Sequence, residues 1–336
     1  MKRKTRHALK LGFGSAVSVF FLYLAFRQVE LDKMGQAFKT AHYPLLLIAL
    51  LVLFVSHWMR AWRHRYFLEP IKPISTGSLF SALMVGYMAN TLLPAHLGEL
   101  LRAYLIGKKE HIPKASALAT IAVERIVDVL CLLILMGVMF IVYPFPREVR
   151  LSGYLTFVFV AALVAFLMAL KKRPERVLSA VERVSKPLSE KISNKLIELL
   201  RSFRDGLVPL KYNYHYAVVT ILSVLLWVCY AGLFFIAFYA FDFVETYNLP
   251  WSASLVVLVI TTLSIIVPSS PGYVGTYHWL CMVALGLFGV SRSPALSFAI
   301  VVYAIGIFPV ALLGILFAWK EGISISKVAR PSEQTS

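Results

Sequence analysis

Glu124, Arg125 and Asp128 fall inside an apolar run of a 336-residue chain, a setting where hydrocarbon tolerates charge only if it is paired or wet. On a helix Glu124 and Asp128 share a face at i, i+4, and Arg125 reaches Asp128 at i, i+3. A second group, His96, Glu99 and Arg102, follows Pro94 in an apolar segment that is also interrupted by Asn90 and Gly98. A third segment offers hydroxyls and open backbone at Ser269, Ser270, Pro271, Gly272, Gly275 and Thr276, with His278 just beyond. Such groups can hold a polar head group at membrane depth, or act as general base through Glu99 or Asp128. Helix N-termini after Pro94 and after Gly275, with Thr276 as the expected N-cap, would turn N–H groups and a positive dipole end toward an anion such as a phosphate. The plainer alternative is an ion-pair network that ties one hairpin to its neighbouring span.

Other chemistries lack their residues. The chain has no GxxxxGK loop, no HExxH, no GxSxG and no DxD pair, so ATP, zinc and serine hydrolysis are unsupported and no metal or cofactor is expected. Cys131, Cys229 and Cys281 lie in apolar stretches without metal or disulfide spacing. They read as small buried hydrophobes.

The elements that must position these residues follow from composition. With 59% apolar and 15% charged residues, against roughly 45–50% and about 25% in soluble domains, an ordinary soluble enzyme is excluded. The net charge of +17 comes from Lys and Arg between apolar runs, so nucleic acid is not an expected partner. Runs of about 20 apolar residues mark six spans: Ala8–Phe26, Pro44–Trp62, Ser116–Tyr143, Ser152–Leu170, Tyr216–Phe241 and Ala295–Trp319. The first reads as an uncleaved anchor. Gly77–Gly107 and Trp251–Val290 break in the middle, and each is expected to be a re-entrant hairpin.

The distribution of the 34 Lys and Arg residues puts both termini in the cytoplasm under the positive-inside rule. Each half then reads span, span, broken hairpin, span, in opposite orientation. The expected fold is an all-α polytopic membrane protein with an inverted repeat, one half over residues 1–143 and the other over 152–319. A cytoplasmic insertion covers 171–211 and a cytoplasmic tail 320–336. Within the insertion, Pro174 to Lys211 carries apolar residues every three or four positions and reads as an interfacial amphipathic helix. His57, His64, His111 and His215 fall at span ends or loops, where a solvated or interfacial histidine is expected. Arg125 should lie roughly 13 Å into the membrane, level with the tip near Pro94, so that Glu99 could reach it.

Asn90-x-x-x-Pro94-x-x-x-Gly98-Glu99-x-x-Arg102, Glu124-Arg125-x-x-Asp128 and Pro268-x-x-Pro271-Gly272-x-x-Gly275, in this order, resemble the flippase-like membrane region of lysylphosphatidylglycerol synthases and its stand-alone relatives. The resemblance runs from about Leu45 to Trp319. It implies a plasma-membrane (inner-membrane) protein that moves a modified or glycosylated anionic lipid between leaflets, with Glu99, Arg102, Glu124, Arg125 and Asp128 shaping the cavity. The soluble aminoacyl-transferase domain is missing, so synthesis of the lysyl-lipid is not expected. Relatives often carry Arg where His96 stands, and an acidic residue where this chain has Thr276, Tyr277 and His278.

The expected activity is therefore flippase-like transport without ATP hydrolysis, not catalysis. The expected partner is a membrane phospholipid or polyprenyl-phosphate-linked lipid, served together with a lipid-modifying synthase or glycosyltransferase. The rivals are a membrane-embedded transferase acting on a lipid-linked sugar, and a non-catalytic membrane partner that recruits a lipid-modifying enzyme through the Pro174 to Lys211 helix.

Overall fold

Backbone polar groups in hydrocarbon must find partners within their own segment, and the described residues do so with helices alone. The computed structural model describes residues 16–27, 29–92, 97–142, 172–185, 210–262 and 271–322, with isolated positions between 158 and 170, between 193 and 201, and at 264. The helices are α1 (Ala16–Phe26), α2 (Leu31–Thr40), α3 (Tyr43–Leu68), α4 (Thr76–Leu92), α5 (Leu97–Glu110) and α6 (Lys114–Val142). They continue as α7 (Pro174–Ser185), α8 (Asn213–Ala240), α9 (Phe243–Tyr247), α10 (Trp251–Thr262), α11 (Thr276–Gly286) and α12 (Arg292–Lys320). By length and composition, α3, α8 and α12 can each cross a membrane. Most of the expected span Ser152–Leu170 and the start of Ala8–Phe26 lie outside the described residues.

Both expected interruptions separate helices. Helix α4 ends two residues before Pro94, whose ring cannot share helical space with the carbonyl four residues back. Helix α10 ends at Thr262, and the chain resumes with a 3-10 turn over Pro271–Tyr273 before α11. Near its end, Thr261 and Thr262 turn their hydroxyls back onto the carbonyls of Val257 and Leu258, at 2.6 and 2.7 Å.

Two compact units emerge, each discontinuous in sequence. The first takes in the described parts of Met1–Arg60, Phe80–Arg102 and Leu225–Ser336. Its axis is α12, with Phe298 packed among Phe234, Phe238, Phe241 and Phe243. At the start of α12, Ser297 Oγ donates to the Met34 carbonyl at 3.2 Å and Ser293 Oγ accepts from the Glu30 N–H at 3.0 Å. The start of α3 adjoins the end of α8, where the His42 N–H donates to the Ala240 carbonyl at 2.8 Å. At the far end of α12, Ser81 Oγ donates to Glu321 Oε1 at 3.0 Å. Within this unit Ser81 of α4 thus lies beside the end of α12.

The second unit takes in Ala61–Leu79 and the described parts of Ala103–Val224. Lys72 Nζ and Ser78 Oγ donate to the Glu110 main chain and carboxylate at 2.7 and 2.6 Å, so the end of α5 is fastened to the start of α4. The amphipathic reading of Pro174 onward is met by α7, which buries Leu178 and Ser185. The rest of that expected helix lies largely outside the described residues.

The histidines depart from expectation. His57, His64 and His215 are buried, His64 and His215 fully. For His64 the cause is that α3 runs on to Leu68, six residues past the expected end at Trp62; His57 falls within the expected span itself, its ring 5.1 Å from that of Tyr87. His215 opens α8 within a nest of Tyr66, Tyr212 and Tyr214 rings, with Glu69 Oε2 3.5 Å from its Nε2. His111 is exposed, as expected.

Candidate functional site

Residues that flank the two interruptions meet inside the first unit. Asn90, near the end of α4, accepts the Gly98 N–H on its Oδ1 at 2.8 Å and so caps the start of α5. Gly98 lies against Gly86, and a Cβ on Gly98 would collide with the Gly86 carbonyl oxygen. That backbone contact brings Arg102 onto α4, where it is buried. Glu99 stands in the first turn of α5, half-buried, where an acid suits the positive dipole end.

The second broken segment contributes the 3-10 turn. Gly272 has φ 75, a left-handed conformation that costs residues with a Cβ. A Cβ built on it would sit 2.9 Å from the Tyr303 hydroxyl and 3.8 Å from the Thr91 carbonyl oxygen. The Tyr303 hydroxyl donates to the Gly272 carbonyl at 2.8 Å. The end of α4, the 3-10 turn and α12 therefore come together at one place. Tyr303 lies about 17 Å along a helix of about 43 Å, taking 1.5 Å per residue.

At α11 the expected N-cap is corrected. Gly275, with φ 88, is the cap, and Thr276 is the first helical residue, its hydroxyl donating to the Tyr273 carbonyl at 2.9 Å. A threonine cap needs extended backbone, whereas this tight turn needs a conformation open to glycine. His278 reaches back so that its Nδ1 accepts the Gly275 N–H at 3.4 Å, and its ring lies 4.8 Å from that of Tyr303. At both helix starts, then, an N–H that the sequence offered to an anion is engaged by a side chain.

Glu124, Arg125 and Asp128 lie in the second unit, whereas Glu99 and Arg102 belong to the first. Inside its own unit this cluster gains two residues that lie just past the expected span end at Trp62. Arg63 Nη2 donates to Asp128 Oδ1 at 2.6 Å and stands 4.0 Å from Glu124 Oε1, while its Nη1 donates to Ser223 Oγ at 2.8 Å. His64 places Nδ1 3.8 Å from Glu124 Oε2 and Nε2 3.1 Å from Thr120 Oγ1. Arg125 stands 3.6 Å from Asp128 Oδ2 and 3.8 Å from Glu124 Oε1. Arg63, His64 and Glu124 are fully buried, whereas the Arg125 side chain is 36% exposed. Arg125 is thus the cation of this group that a ligand can approach.

Pro94, His96, Ser269 and Ser270 lie outside the described residues, and Pro271 opens the 3-10 turn. The sequence reading missed Arg63, His64, Thr91 and Tyr303. A signal existed for the first two: two buried carboxylates demand a second cation besides Arg125, and Arg60, Arg63 and His64 recur at helical spacing.

A sequence profile described as the lysylphosphatidylglycerol synthase TM region matches residues 12–314. A UPF0104 membrane protein of Methanothermobacter thermautotrophicus is 26% identical over 324 residues, 93% of each chain. Another, from Methanocaldococcus jannaschii, is 22% identical over 298 residues, covering 83% of this chain and 85% of the relative. Glycosyltransferase AglD of Haloferax volcanii is 33% identical over 100 residues, 29% of this chain and 16% of that protein.

Proposed function

The chain belongs to the family of the lysylphosphatidylglycerol synthase TM region, and from that premise we propose that this multi-pass membrane protein moves an anionic, modified or glycosylated lipid between leaflets, without hydrolysing ATP. The observation that carries the reading is the meeting of Thr91, Gly272 and Tyr303. Irregular backbone at membrane depth is tolerated where protein or a wet cavity satisfies it, and paired broken helices mark transporter substrate sites.

In this reading six spans and two re-entrant hairpins form an inverted repeat in the plasma membrane, with both termini cytoplasmic. Support comes from Ser81 of α4 lying beside the end of α12, and from α11 leading back to the start of α12. The head-group phosphate docks at Arg125, because Arg63 and Arg102 are buried and the N–H groups of Gly98 and Gly275 are engaged. Acyl or prenyl chains stay in lipid while the protein rocks about the site.

The test is leaflet exchange in liposomes that carry the purified chain with fluorescent phosphatidylglycerol or a polyprenyl-phosphate lipid. Exchange accelerates, and Arg125→Ala slows it at least about tenfold, the loss expected for a charge-assisted contact worth more than 1.4 kcal/mol. Exchange no faster than in protein-free liposomes with either lipid contradicts the reading.

The likeness to AglD favours a second reading, a transferase with Glu99 or Asp128 as base. Asp128 fits that role poorly, since one carboxylate oxygen already accepts from Arg63 at 2.6 Å. A new covalent lipid product from purified protein would establish it. A lipid-modifying synthase or glycosyltransferase remains the expected partner in the cell.

A further inference from the structure

Where Thr91, Gly272 and Tyr303 come together, the first unit holds hydrogen-bonding groups that its own packing does not use. Tyr277 and His278 of α11 and Tyr303 of α12 form a cluster of three rings, with centroids 5.9, 5.5 and 4.8 Å apart. His278 is only 6% exposed. Its Nδ1 accepts the Gly275 N–H at 3.4 Å, so the neutral ring carries its hydrogen on Nε2. That N–H meets no acceptor among the described residues, and the Tyr277 hydroxyl has no partner among them either. Tyr303 spends its proton on the Gly272 carbonyl, which leaves its oxygen an acceptor. Thr91, in the last turn of α4, adds a carbonyl that no later N–H of that helix can reach. Thr91, Tyr277 and Tyr303 are half-buried. No ion pair among the described residues involves any of the four.

Resting on the lipid reading above, we propose that Tyr277, His278, Tyr303 and the Thr91 carbonyl form a subsite for the hydroxyls of a sugar, so that the chain prefers a glycosylated lipid to one whose head group is a bare phosphate or an ammonium. Donor and acceptor roles decide the class. A phosphate oxygen without its proton only accepts, and here it would face the lone pairs of Tyr303 and Thr91. An ammonium only donates, and it would face the Nε2–H of His278. A sugar hydroxyl does both, and it matches a mixed set that carries no formal charge. The three rings supply apolar surface for the C–H faces of the sugar, in keeping with small-molecule sites that combine aromatic lining with a few placed polar groups. A buried N–H left without an acceptor is costly, so His278 gains most from the incoming hydroxyl. No covalent bond of the lipid changes.

The experiment reconstitutes the purified full-length chain in liposomes with one of two fluorescent lipids of equal charge: a polyprenyl phosphate bearing one hexose, or the same lipid with a methyl group in place of the hexose. Fluorescent phosphatidylglycerol runs alongside. At low lipid density, where rate follows affinity, leaflet exchange above the protein-free rate is at least about tenfold faster for the hexosyl lipid than for the methyl ester, the gain expected from one or two neutral hydrogen bonds. Tyr277→Phe deletes one hydroxyl and narrows that preference about two- to tenfold. His278→Phe keeps a ring beside Tyr303, removes the Nε2–H and narrows it likewise. A residue with a merely structural role would slow both lipids in proportion and leave the ratio where it was, so an unchanged ratio in both variants overturns the subsite. If a variant fails to fold, the ratio shown by the parent still decides. Equal exchange of the two lipids by the parent, or exchange of phosphatidylglycerol alone, overturns the sugar subsite and leaves the lipid reading standing. Exchange of none of the three overturns both.

Discussion

The junction of the two broken helix pairs and the charge cluster on α6 both keep polar atoms in an apolar setting, and they do so with different materials. At the junction the partners are backbone groups and uncharged side chains: Gly98 N–H to Asn90, Tyr303 hydroxyl to Gly272 carbonyl, and Gly86 against Gly98 with no side chain between. In the cluster the partners are ions, with Arg63 held between Asp128, Glu124 and Ser223. A junction built from shape should fail when volume is added. A cluster built from charge should fail when one sign is removed, and should tolerate removal of a balanced pair.

Removing one sign is the harshest test. Arg63→Ala removes the guanidinium that donates to Asp128 and stands beside Glu124, and should cost about 3–5 kcal/mol, the usual penalty for a broken buried pair. Equilibrium unfolding in mixed micelles reads the loss. Arg63→Met combined with Asp128→Leu keeps Glu124 balanced by Arg125 and should recover most of it; a double variant as unstable as the single would mean that Arg63 acts by packing and not by charge.

Adding volume at the junction comes next. Gly98→Val pushes a side chain into the Gly86 carbonyl and should cost about 1–3 kcal/mol as an overpacked contact, read by the same unfolding measurement. An unchanged midpoint would show that α4 and α5 can part freely. Gly272→Ala combines a left-handed backbone with the nearby Tyr303 hydroxyl and should cost about 1–2 kcal/mol. Smallest is Tyr303→Phe, which deletes a single neutral hydrogen bond for about 0.5–1.5 kcal/mol. If it proves as harmful as Arg63→Ala, the division between shape and charge is wrong.

The two regions also differed in how far the sequence disclosed them. Proline and glycine act through local backbone geometry, so the breaks at Pro94 and at Pro271-Gly272 could be read from neighbouring residues, and α4 does end at Leu92. The apolar runs gave α8 and α12 to within three residues at each end. The charge cluster was half legible, because its α6 members share one helix and a fixed spacing. Arg63 and His64 lie on another helix, past the point where the apolar run stops, and basic residues there look like a cytoplasmic flank. Their burial depends on tertiary partners that no local pattern reveals. Thr276 was misjudged as a cap for a related reason: the turn before it follows the demands of Gly272 and Tyr303, not the usual extended entry into a helix.

The account depends above all on the two breaks meeting in the interior of the bilayer. Spin-label depth at Thr91→Cys, in a chain whose native cysteines are replaced and which is reconstituted in bilayers, measures this directly, with Tyr43→Cys at the exposed start of α3 as the interfacial reference. A label at Thr91 within about 5 Å of the bilayer centre of a ~30 Å core is the predicted result. A label at the same depth as the Tyr43 reference would contradict it.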